Sequence, residues 1–481
     1  MPVPTAVHDA PHTSRRALRM SEVVAALTYA LDITEGQPEG HGLRACLIGM
    51  RVGQELDLDD GALSDLYYAL MLKDLGCSSN AARVRHLFGA DDFRVKRAVK
   101  LVDLDDLGQG ARFVLAHAGT ARGVPERLRR VLELAFQRRS GPLALTQVRC
   151  ERGADIALQM GFSQGTSAAI RALDERWDGR GHPYRLEGEA IPLLGRILGL
   201  AQSVEVFYQA GGAAAVEAML AERDGRWFDP RVVAAFERAS ARRGFWETLE
   251  DDALARRVAA LEPADHVLRA DPEQLERVAE AFARVIDAKS PWTYRHSERV
   301  RRFALGAAAQ LDEAPAPERL VRLSRAALLH DIGKLGVSNL VLDKPGALTD
   351  DEFAAIQRHP AYGERILSRV QPFRDLAPLA GGHHERMDGR GYHRGVPAAS
   401  VAFDVRLLAV ADQFEALTAD RPYREGLSPE AAMALLREDA GAGVDPVALA
   451  ALERFLGTPE AAELTAAGHA FDPDIPVPGK G

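Results

Sequence analysis

Cysteine is scarce in this chain, and its scarcity excludes two kinds of site. The 481 residues include three cysteines, Cys46, Cys77 and Cys150, and no pair of them has CxxC spacing. A disulfide framework or a thiolate zinc site needs paired, patterned cysteines. We therefore expect three reduced thiols that are incidental to function.

Long hydrophobic runs are also missing. No segment has the roughly 18 uninterrupted apolar residues of a membrane helix, since even the stretch 191–201 is interrupted by Arg196. Residues 1–20 include prolines and histidines but no apolar core of the secretory type. The sequence predicts a cytoplasmic protein with no membrane partner.

Positive charge is not in excess. A formal net charge of −9 argues against a broad surface for a nucleic acid polymer, although it is compatible with a local basic pocket for a small anion. The hydrophobic fraction of 47% and the charged fraction of 27% are ordinary for a globular protein. A length of 481 residues suggests about two to four folded units.

Alternating strand patterns are scarce, and helical spacing dominates. Residues recur at intervals of three and four, as do Leu320, Leu323, Ala327 and His330. Helix start signals agree: Asp271 precedes Pro272, and Thr349 stands in capping-box spacing with Glu352. The chain is predicted to be all-α.

Two halves of the chain resemble each other. The string Glu-Arg-Trp-Asp-Gly-Arg-Gly that contains Asp178 parallels the string Glu-Arg-Met-Asp-Gly-Arg-Gly that contains Asp388, 210 positions later. Asp74 and Asp331, in a second pair of similar strings, are 257 positions apart, so the first copy holds 47 more residues between its motifs. We expect this insertion within about 85–145.

The repeat divides the chain into two tandem helical bundles. The predicted units are a disordered N-terminus, a degenerate first copy, a connector, a catalytic second copy and a flexible tail, at residues 1–19, 20–240, 241–271, 272–457 and 458–481.

The second copy carries the chemistry. His330-Asp331 follows an apolar stretch, which makes a buried pair in need of a partner, and His383-His384 precedes a glycine-rich turn. The full candidate set is His330, Asp331, His359, His383, His384 and Asp412. Four imidazoles and two carboxylates suit Fe or Mn better than Zn, and they are too many for one open ion. They fit two divalent ions that share a bridging carboxylate and clamp a phosphodiester for in-line attack.

These motifs together resemble the HD-GYP branch of the HD superfamily, bacterial phosphodiesterases of cyclic di-GMP. The resemblance is strong over about 272–460 and weak over about 20–225, and its motifs are the strings that begin at His330, His359, His383, Ala411 and Asp420. It implies that Asp331 bridges the ions, with His330 and Asp412 on one and His359, His383 and His384 on the other. Lys334 would act beside Asp331 in catalysis by facing the scissile phosphate, while Arg421 and Arg424 would hold the substrate.

Two positions depart from the family pattern. His393 stands where the family has proline, after the loop residues Asp388, Gly389, Gly391 and Tyr392. The resemblance implies that this loop contacts partners, including diguanylate cyclase domains, so the change affects partner choice. His296 matches a family histidine near the metals, but Trp292 replaces the glutamate of three-metal members. We therefore expect two ions, with His296 as a hydrogen-bonding or marginal ligand.

The first copy lacks the ligand set. Lys73 replaces His330 and Arg149 replaces His359; the other substitutions are Leu173, Asp174, Gln202 and Cys77. Cations at ligand positions would repel a divalent ion. They would instead neutralise Asp74 in a salt-bridged core; nucleotide binding without hydrolysis is the alternative.

The leading hypothesis for function is hydrolysis of cyclic di-GMP to pGpG, with GMP as a further product. The alternatives are another cyclic dinucleotide or a nucleotide monoester as substrate, and a non-catalytic, nucleotide-responsive scaffold. The sequence is compatible with a homodimer.

Overall fold

In the computed structural model the chain is helical, as predicted. The structure describes residues 18–120, 127, 129–131, 133, 134 and 140–466. Within these residues there are isolated β-bridges and no strands. None of the described helices is long and apolar enough to cross a membrane.

The helices of the first copy and of the segment after it are given first. In chain order they are α1 Met20–Thr34, α2 His41–Glu55, α3 Asp60–Leu72, α4 Ala81–Phe88, α5 Asp92–Val99, α6 Leu107–His117, α7 Ser140–Gln159, α8 Gln164–Arg171, α9 Leu193–Arg223, α10 Pro230–Ser240, α11 Phe245–Leu249 and α12 Leu254–Ala259.

The second copy repeats much of this order. Its helices are α13 Pro272–Asp287, α14 His296–Ala308, α15 Pro317–Leu329, α16 Asn339–Leu342, α17 Asp350–Gln357, α18 His359–Arg369, α19 Ala377–Gly382, α20 Phe403–Thr418, α21 Pro429–Glu438, α22 Pro446–Leu456 and α23 Pro459–Ala466. Helix α9 begins at Leu193 and α20 at Phe403, which keeps the 210-residue offset of the repeat.

The helix start signals act as expected. Asp271 accepts a hydrogen bond from the backbone N–H of Gln274 in a full capping box, and Thr349 does the same with Glu352. Such caps satisfy backbone donors that the first turn of a helix leaves unpaired.

The two copies share one continuous apolar core that contains Leu27 and Leu70 of the first and Phe303 and Phe414 of the second. A smaller cluster lies beneath the predicted insertion and comprises Val84, Ala90, Val95 and Phe113. The copies also meet through polar groups, since the Arg369 guanidinium donates to Glu39 at 2.6 Å and lies 3.9 Å from the Tyr29 ring.

The connector and the described segments next to the chain ends pack against the core. Residues 1–17 and 467–481 lie outside the described residues, but Leu18 and Met20 pair with backbone groups of Ala270 and Leu268. The flexible tail predicted from 458 is wrong for α23, because Leu464 is buried against the core. The predicted connector contains α11 and α12, and its Leu249 and Val258 are buried in the shared core. The exact domain bounds stay a prediction.

A glycine at the same place in each copy allows two elements to meet. A Cβ on Gly333 would lie 1.9 Å from the carbonyl oxygen of His359, and a Cβ on Gly76 would lie 1.9 Å from that of Arg149. Both distances are far inside van der Waals contact. The turn after the buried pair can therefore touch the next motif only because the residue at this position, Gly333 or Gly76, has no side chain.

Replacing Gly333 with alanine should separate the two motifs of the second copy. We expect the Gly333→Ala variant to lose about 1–3 kcal/mol of stability or more through overpacking, read as a fall in the thermal midpoint. Gly346→Ala is the matched control, because a Cβ there meets nothing within 4 Å. Equal thermal midpoints for the two variants would contradict the argument.

Candidate metal centre

The His330-Asp331 pair lies where a helix gives way to a tighter turn. Helix α15 ends at Leu329, and a 3₁₀ turn follows from Ile332 to Gly336. Both side chains of the pair are at most 1% exposed. The turn brings the Lys334 ammonium to 2.5 Å from Asp331 Oδ2, so that the lysine reaches the pair as predicted.

Most of the predicted ligands fall into two groups. Within each group, the ligand atoms lie within 4.8 Å of one another. One group is His359, His383 and His384, and the other is His296, His330 and Asp412. Asp331 lies between them. Its Oδ1 is 3.3 Å from His359 Nε2, and its Oδ2 is 3.5 Å from His330 Nε2. One carboxylate therefore presents an oxygen to each group.

Three of the imidazoles are oriented by backbone carbonyls. The Nδ1 atoms of His330, His359 and His383 lie 2.5–2.8 Å from the carbonyl oxygen three residues earlier. A carbonyl accepts only from a protonated nitrogen, so Nδ1 carries the hydrogen and Nε2 keeps its lone pair. This is the tautomer that a metal ligand requires.

Buried acceptor atoms in the centre lack partners. His330 Nε2, His296 Nε2 and Asp331 Oδ1 are buried without a hydrogen bond, and His359 Nε2 lies 3.1 Å from His383 Nε2. Two nitrogens that both bear lone pairs do not stabilise each other. A buried polar atom without a partner costs about 1–3 kcal/mol. Divalent cations between these atoms would satisfy them, so the donor set fits metal.

Electrostatics favour the ligating forms of Asp331 and of the histidines in the group of His359. Burial opposes the charge of His330, whereas Asp331 and Asp412 outweigh it and raise the pKa of His330. Burial lowers the pKa of His384 to about 3, and burial together with neighbouring imidazoles lowers the pKa of His383. Burial opposes ionisation of Asp331, but Lys334 and His330 outweigh it and hold its pKa well below the usual range. The group of His359, His383 and His384 is thus neutral imidazole beside an ionised carboxylate, as metal binding requires.

Glu415 is a residue of the centre that the sequence reasoning did not identify. Its Oε2 lies 2.5 Å from His296 Nδ1, and Arg299 Nε lies 3.4 Å from its other oxygen. Burial lowers the pKa of His296, but Glu415 and the two aspartates raise it well above the usual range. Glu415 lies one turn after Asp412, and Glu205 stands at the matching place of the repeat, which is the signal that could have found it.

The first copy keeps this outer arrangement but surrounds its buried carboxylate, Asp74, with lysines. His41 pairs with Glu205 as His296 does with Glu415, and the Lys73 ammonium lies 2.8 Å from His41 Nε2 and bonds Asp74 Oδ2. The salt bridge predicted between Lys73 and Asp74 is confirmed. Burial opposes the charge of Asp74, but the two lysines near it lower its pKa to about 2.

The second cation near Asp74 is not the one expected. Arg149 pairs with Asp174, whereas Lys100 Nζ lies 3.9 Å from Asp74 Oδ1 and 2.8 Å from Glu35 Oε2. Lys100 comes from the predicted insertion and directly follows α5. Each oxygen of Asp74 thus faces an ammonium, as each oxygen of Asp331 faces a ligand group.

The predicted substrate residues occupy different positions. Lys334 is 21% exposed at the centre, and Arg421 Nη2 is 3.9 Å from Glu415 Oε2. Arg424 instead donates to the carbonyls of Ala416 and Leu417 at the end of α20. Arg421 therefore lies at the candidate metal centre, whereas the guanidinium of Arg424 is hydrogen-bonded to backbone carbonyls. Their substrate roles stay predictions.

The predicted partner loop packs against the ligand group of His359, His383 and His384. The Tyr392 ring stacks on the imidazole of His384 at 4.7 Å between centroids. The backbone N–H of Tyr392 donates to the backbone carbonyl of His384. Gly389 has a φ of +73°, and a Cβ on Gly391 would lie 2.4 Å from Glu385 Cα. The Asp388 carboxylate accepts from the Arg390 N–H at 2.9 Å. The loop therefore helps to hold His384, and its contact with partner proteins stays a prediction.

Removing an ammonium from the first copy should destabilise the protein. Lys73→Met leaves Asp74 buried with a weaker partner, and loss of one member of a buried pair costs about 3–5 kcal/mol. We expect a lower urea midpoint with unchanged metal content. Lys344→Met is the control, because its pair with Glu352 is about 30% exposed on both sides and is worth under about 1 kcal/mol. A Lys73 variant as stable as the control would show that the pair is not structural.

Comparisons with known proteins agree with this centre. The model of the HD domain family matches residues 94–232 and 280–447. The chain is 42% identical over 437 residues to 3'3'-cGAMP-specific phosphodiesterase 3 of Vibrio cholerae, covering 91% of this chain and 94% of that one. It is 36% identical over 210 residues to the cyclic di-GMP phosphodiesterase response regulator RpfG of Xanthomonas campestris, covering 43% of this chain and 54% of that one.

A solved structure shares the whole architecture. The crystal structure of the cyclic GMP-AMP specific phosphodiesterase V-cGAP3 of V. cholerae superposes with a TM-score of 0.62 at 38% identity, covering 93% of this chain and all of that one. Together with the paired ligand groups around Asp331, these likenesses confirm the predicted resemblance. The chain belongs to the HD domain family, as a metal-dependent phosphohydrolase of its HD-GYP branch.

Proposed function

We propose that the protein is a cyclic dinucleotide phosphodiesterase and that its substrate is 3'3'-cGAMP. Hydrolysis would open a phosphodiester linkage: water adds to phosphorus, the ribose oxygen leaves with a proton, and a linear dinucleotide with a terminal phosphate results. The observation that carries the choice of substrate is likeness to a 3'3'-cGAMP-specific enzyme along both copies, with 94% of that relative covered.

The extent of the likeness matters because the first copy contacts the catalytic turn. A Cβ on Gly336, two residues after Lys334, would lie 3.3 Å from Ile33 of α1. The likeness to the 3'3'-cGAMP-specific relative covers 91% of this chain and therefore includes both copies. Likeness to cyclic di-GMP phosphodiesterases such as RpfG covers 43% of this chain.

Residues of the second copy supply the parts that phosphodiester hydrolysis requires. We propose two ions, iron or manganese, with His330, Asp412 and His296 on one, His359, His383 and His384 on the other, and Asp331 between them. When bound, such ions act as Lewis acids on the phosphoryl group. Lys334, beside Asp331 and partly exposed, would stabilise the charge that develops on the phosphate. Arg421 would hold a substrate phosphate at the rim.

Cyclic di-GMP is the second candidate substrate. The family resemblance and the relatives named for cyclic di-GMP favour it. A site that hydrogen-bonds both guanine edges of cyclic di-GMP would reject the adenine of 3'3'-cGAMP, because unpaired buried polar groups are costly.

A direct competition assay distinguishes the substrates. The full-length protein, loaded anaerobically with Fe²⁺ or Mn²⁺, is incubated with 3'3'-cGAMP, cyclic di-GMP and cyclic di-AMP together, and the products are separated by chromatography. We expect kcat/KM for 3'3'-cGAMP to exceed that for cyclic di-GMP by about tenfold or more. Preference for cyclic di-GMP would establish the second candidate, and turnover of none of the three would overturn the proposed function.

Metal content tests the two ligand groups separately. We expect about two ions per chain in the parent and about one in His330→Ala and in His383→Ala, with activity reduced at least about 100-fold in both. Asp331→Ala should lower occupancy at both positions, since its oxygens face both groups. His266→Ala, at an exposed histidine, is the control and should match the parent. Equal metal content in parent and ligand variants would contradict the assignment.

A further inference from the structure

Helix α5 of the predicted insertion contacts both copies of the repeat. At one end, the Lys96 ammonium donates to the carbonyls of Thr34 and Cys77 at 3.1 and 2.9 Å, which are groups of the first copy. At the other end, Asp92 reaches the second copy across 246 positions of sequence. The helix therefore spans from the lysine-filled site around Asp74 to the metal-binding copy.

Asp92 is wholly enclosed by its contacts. Its side chain is 0% exposed, and its Oδ1 accepts from Asn339 N–H at 2.9 Å and from Ser338 Oγ at 3.1 Å. Its Oδ2 faces the buried ammonium of Lys289 at 3.6 Å. Burial of the Asp92 and Lys289 charges costs free energy, which their mutual attraction and the hydrogen bonds to Asp92 offset only in this geometry.

The residues that Asp92 holds follow directly after the catalytic turn. Val337 N–H donates to the Lys334 carbonyl at 3.0 Å, and Ser338 and Asn339 come next. The Asn339 side-chain amide also donates to the Lys289 carbonyl at 2.7 Å, in the segment that leads to His296. One carboxylate thus fixes the exit of the Lys334 turn and, through Asn339, the approach to a metal ligand.

We propose that Asp92 is a positioning residue for the phosphodiesterase site, in which a carboxylate of the first copy holds the turn that presents Lys334. The inference rests on the proposed function, because it takes Lys334 as the group that stabilises the substrate's phosphate. The degenerate copy would then position the catalytic turn of the second copy, a role that requires no metal ligands in the degenerate copy. Lysines of the insertion contact Asp74 and Glu35 of the first copy. Asp92, on the same helix, binds the residues that follow the Lys334 turn.

Kinetics of Asp92 variants test this role in the full-length, metal-loaded protein. We expect Asp92→Ala to lower kcat about tenfold through a displaced Lys334, with KM within about twofold and metal content unchanged. Asp92→Asn keeps an acceptor oxygen for Asn339 and Ser338 and should recover most of kcat. The control is Asp91→Ala, which removes the cap of the same helix by deleting the acceptor for Arg94 N–H. Its kcat should equal that of the parent.

A double-mutant cycle separates positioning from general support of the fold. If Asp92 acts through Lys334, Asp92→Ala should cause no further loss of kcat once Lys334→Ala is present. A loss that persists in the Lys334→Ala background, or an Asp91→Ala loss as large as that of Asp92→Ala, would overturn the inference. Should Asp92→Ala not yield folded protein, Ser338→Ala, which removes one of the two donors to Asp92 Oδ1, takes its place in the cycle, with the same two outcomes.

Failure of the proposed function has a different signature. It shows as a parent protein that cleaves no cyclic dinucleotide, whatever the variants do. The same cycle is therefore also run with bis(p-nitrophenyl) phosphate, a phosphodiester without bases, where non-additivity of Asp92 and Lys334 supports the positioning role and additivity refutes it.

Discussion

The charge of a single buried carboxylate, that of Asp331, determines how the second copy is built. Taking such a group out of water costs several kcal/mol unless opposite charge compensates it. Lys334 and His330 supply some of that charge, but Lys334 reaches only one of the two oxygens. The remaining demand is for cations on both sides. The histidines around Asp331 are held by backbone carbonyls in the tautomer that receives such cations.

The first copy meets the same demand with covalently attached charges. Asp74 keeps the place of Asp331, and the ammonium groups of Lys73 and Lys100 face its two oxygens. The pair of His41 and Glu205 persists around them, although no ion needs to be held. This conserved outer layer within one chain shows that the two sites are versions of one arrangement. It also shows that the fold requires positive charge at this place, whether or not catalysis follows.

The sequence predicted the parts of the structure that have local patterns. Helical spacing and capping boxes indicated the all-α class, and short motifs around His330, His359 and His383 indicated the candidate ligands, because candidate ligands within a motif are neighbours on the chain. Glu415, Lys100 and Asp92 were missed for the opposite reason. Each acts on a partner more than 20 positions away, and no local pattern records such a contact. The tail helix α23 was missed because a run of proline and alanine indicates fraying, whereas its Leu464 is buried by tertiary packing.

The lysines of the first copy have a consequence for the behaviour of the whole chain. An ammonium on a side chain cannot be extracted by a chelator, and it cannot change its oxidation state as iron does. The charge balance around Asp74 is therefore independent of metal supply. The first copy is charge-compensated without any metal, and its contacts with the Lys334 turn are therefore independent of metal as well.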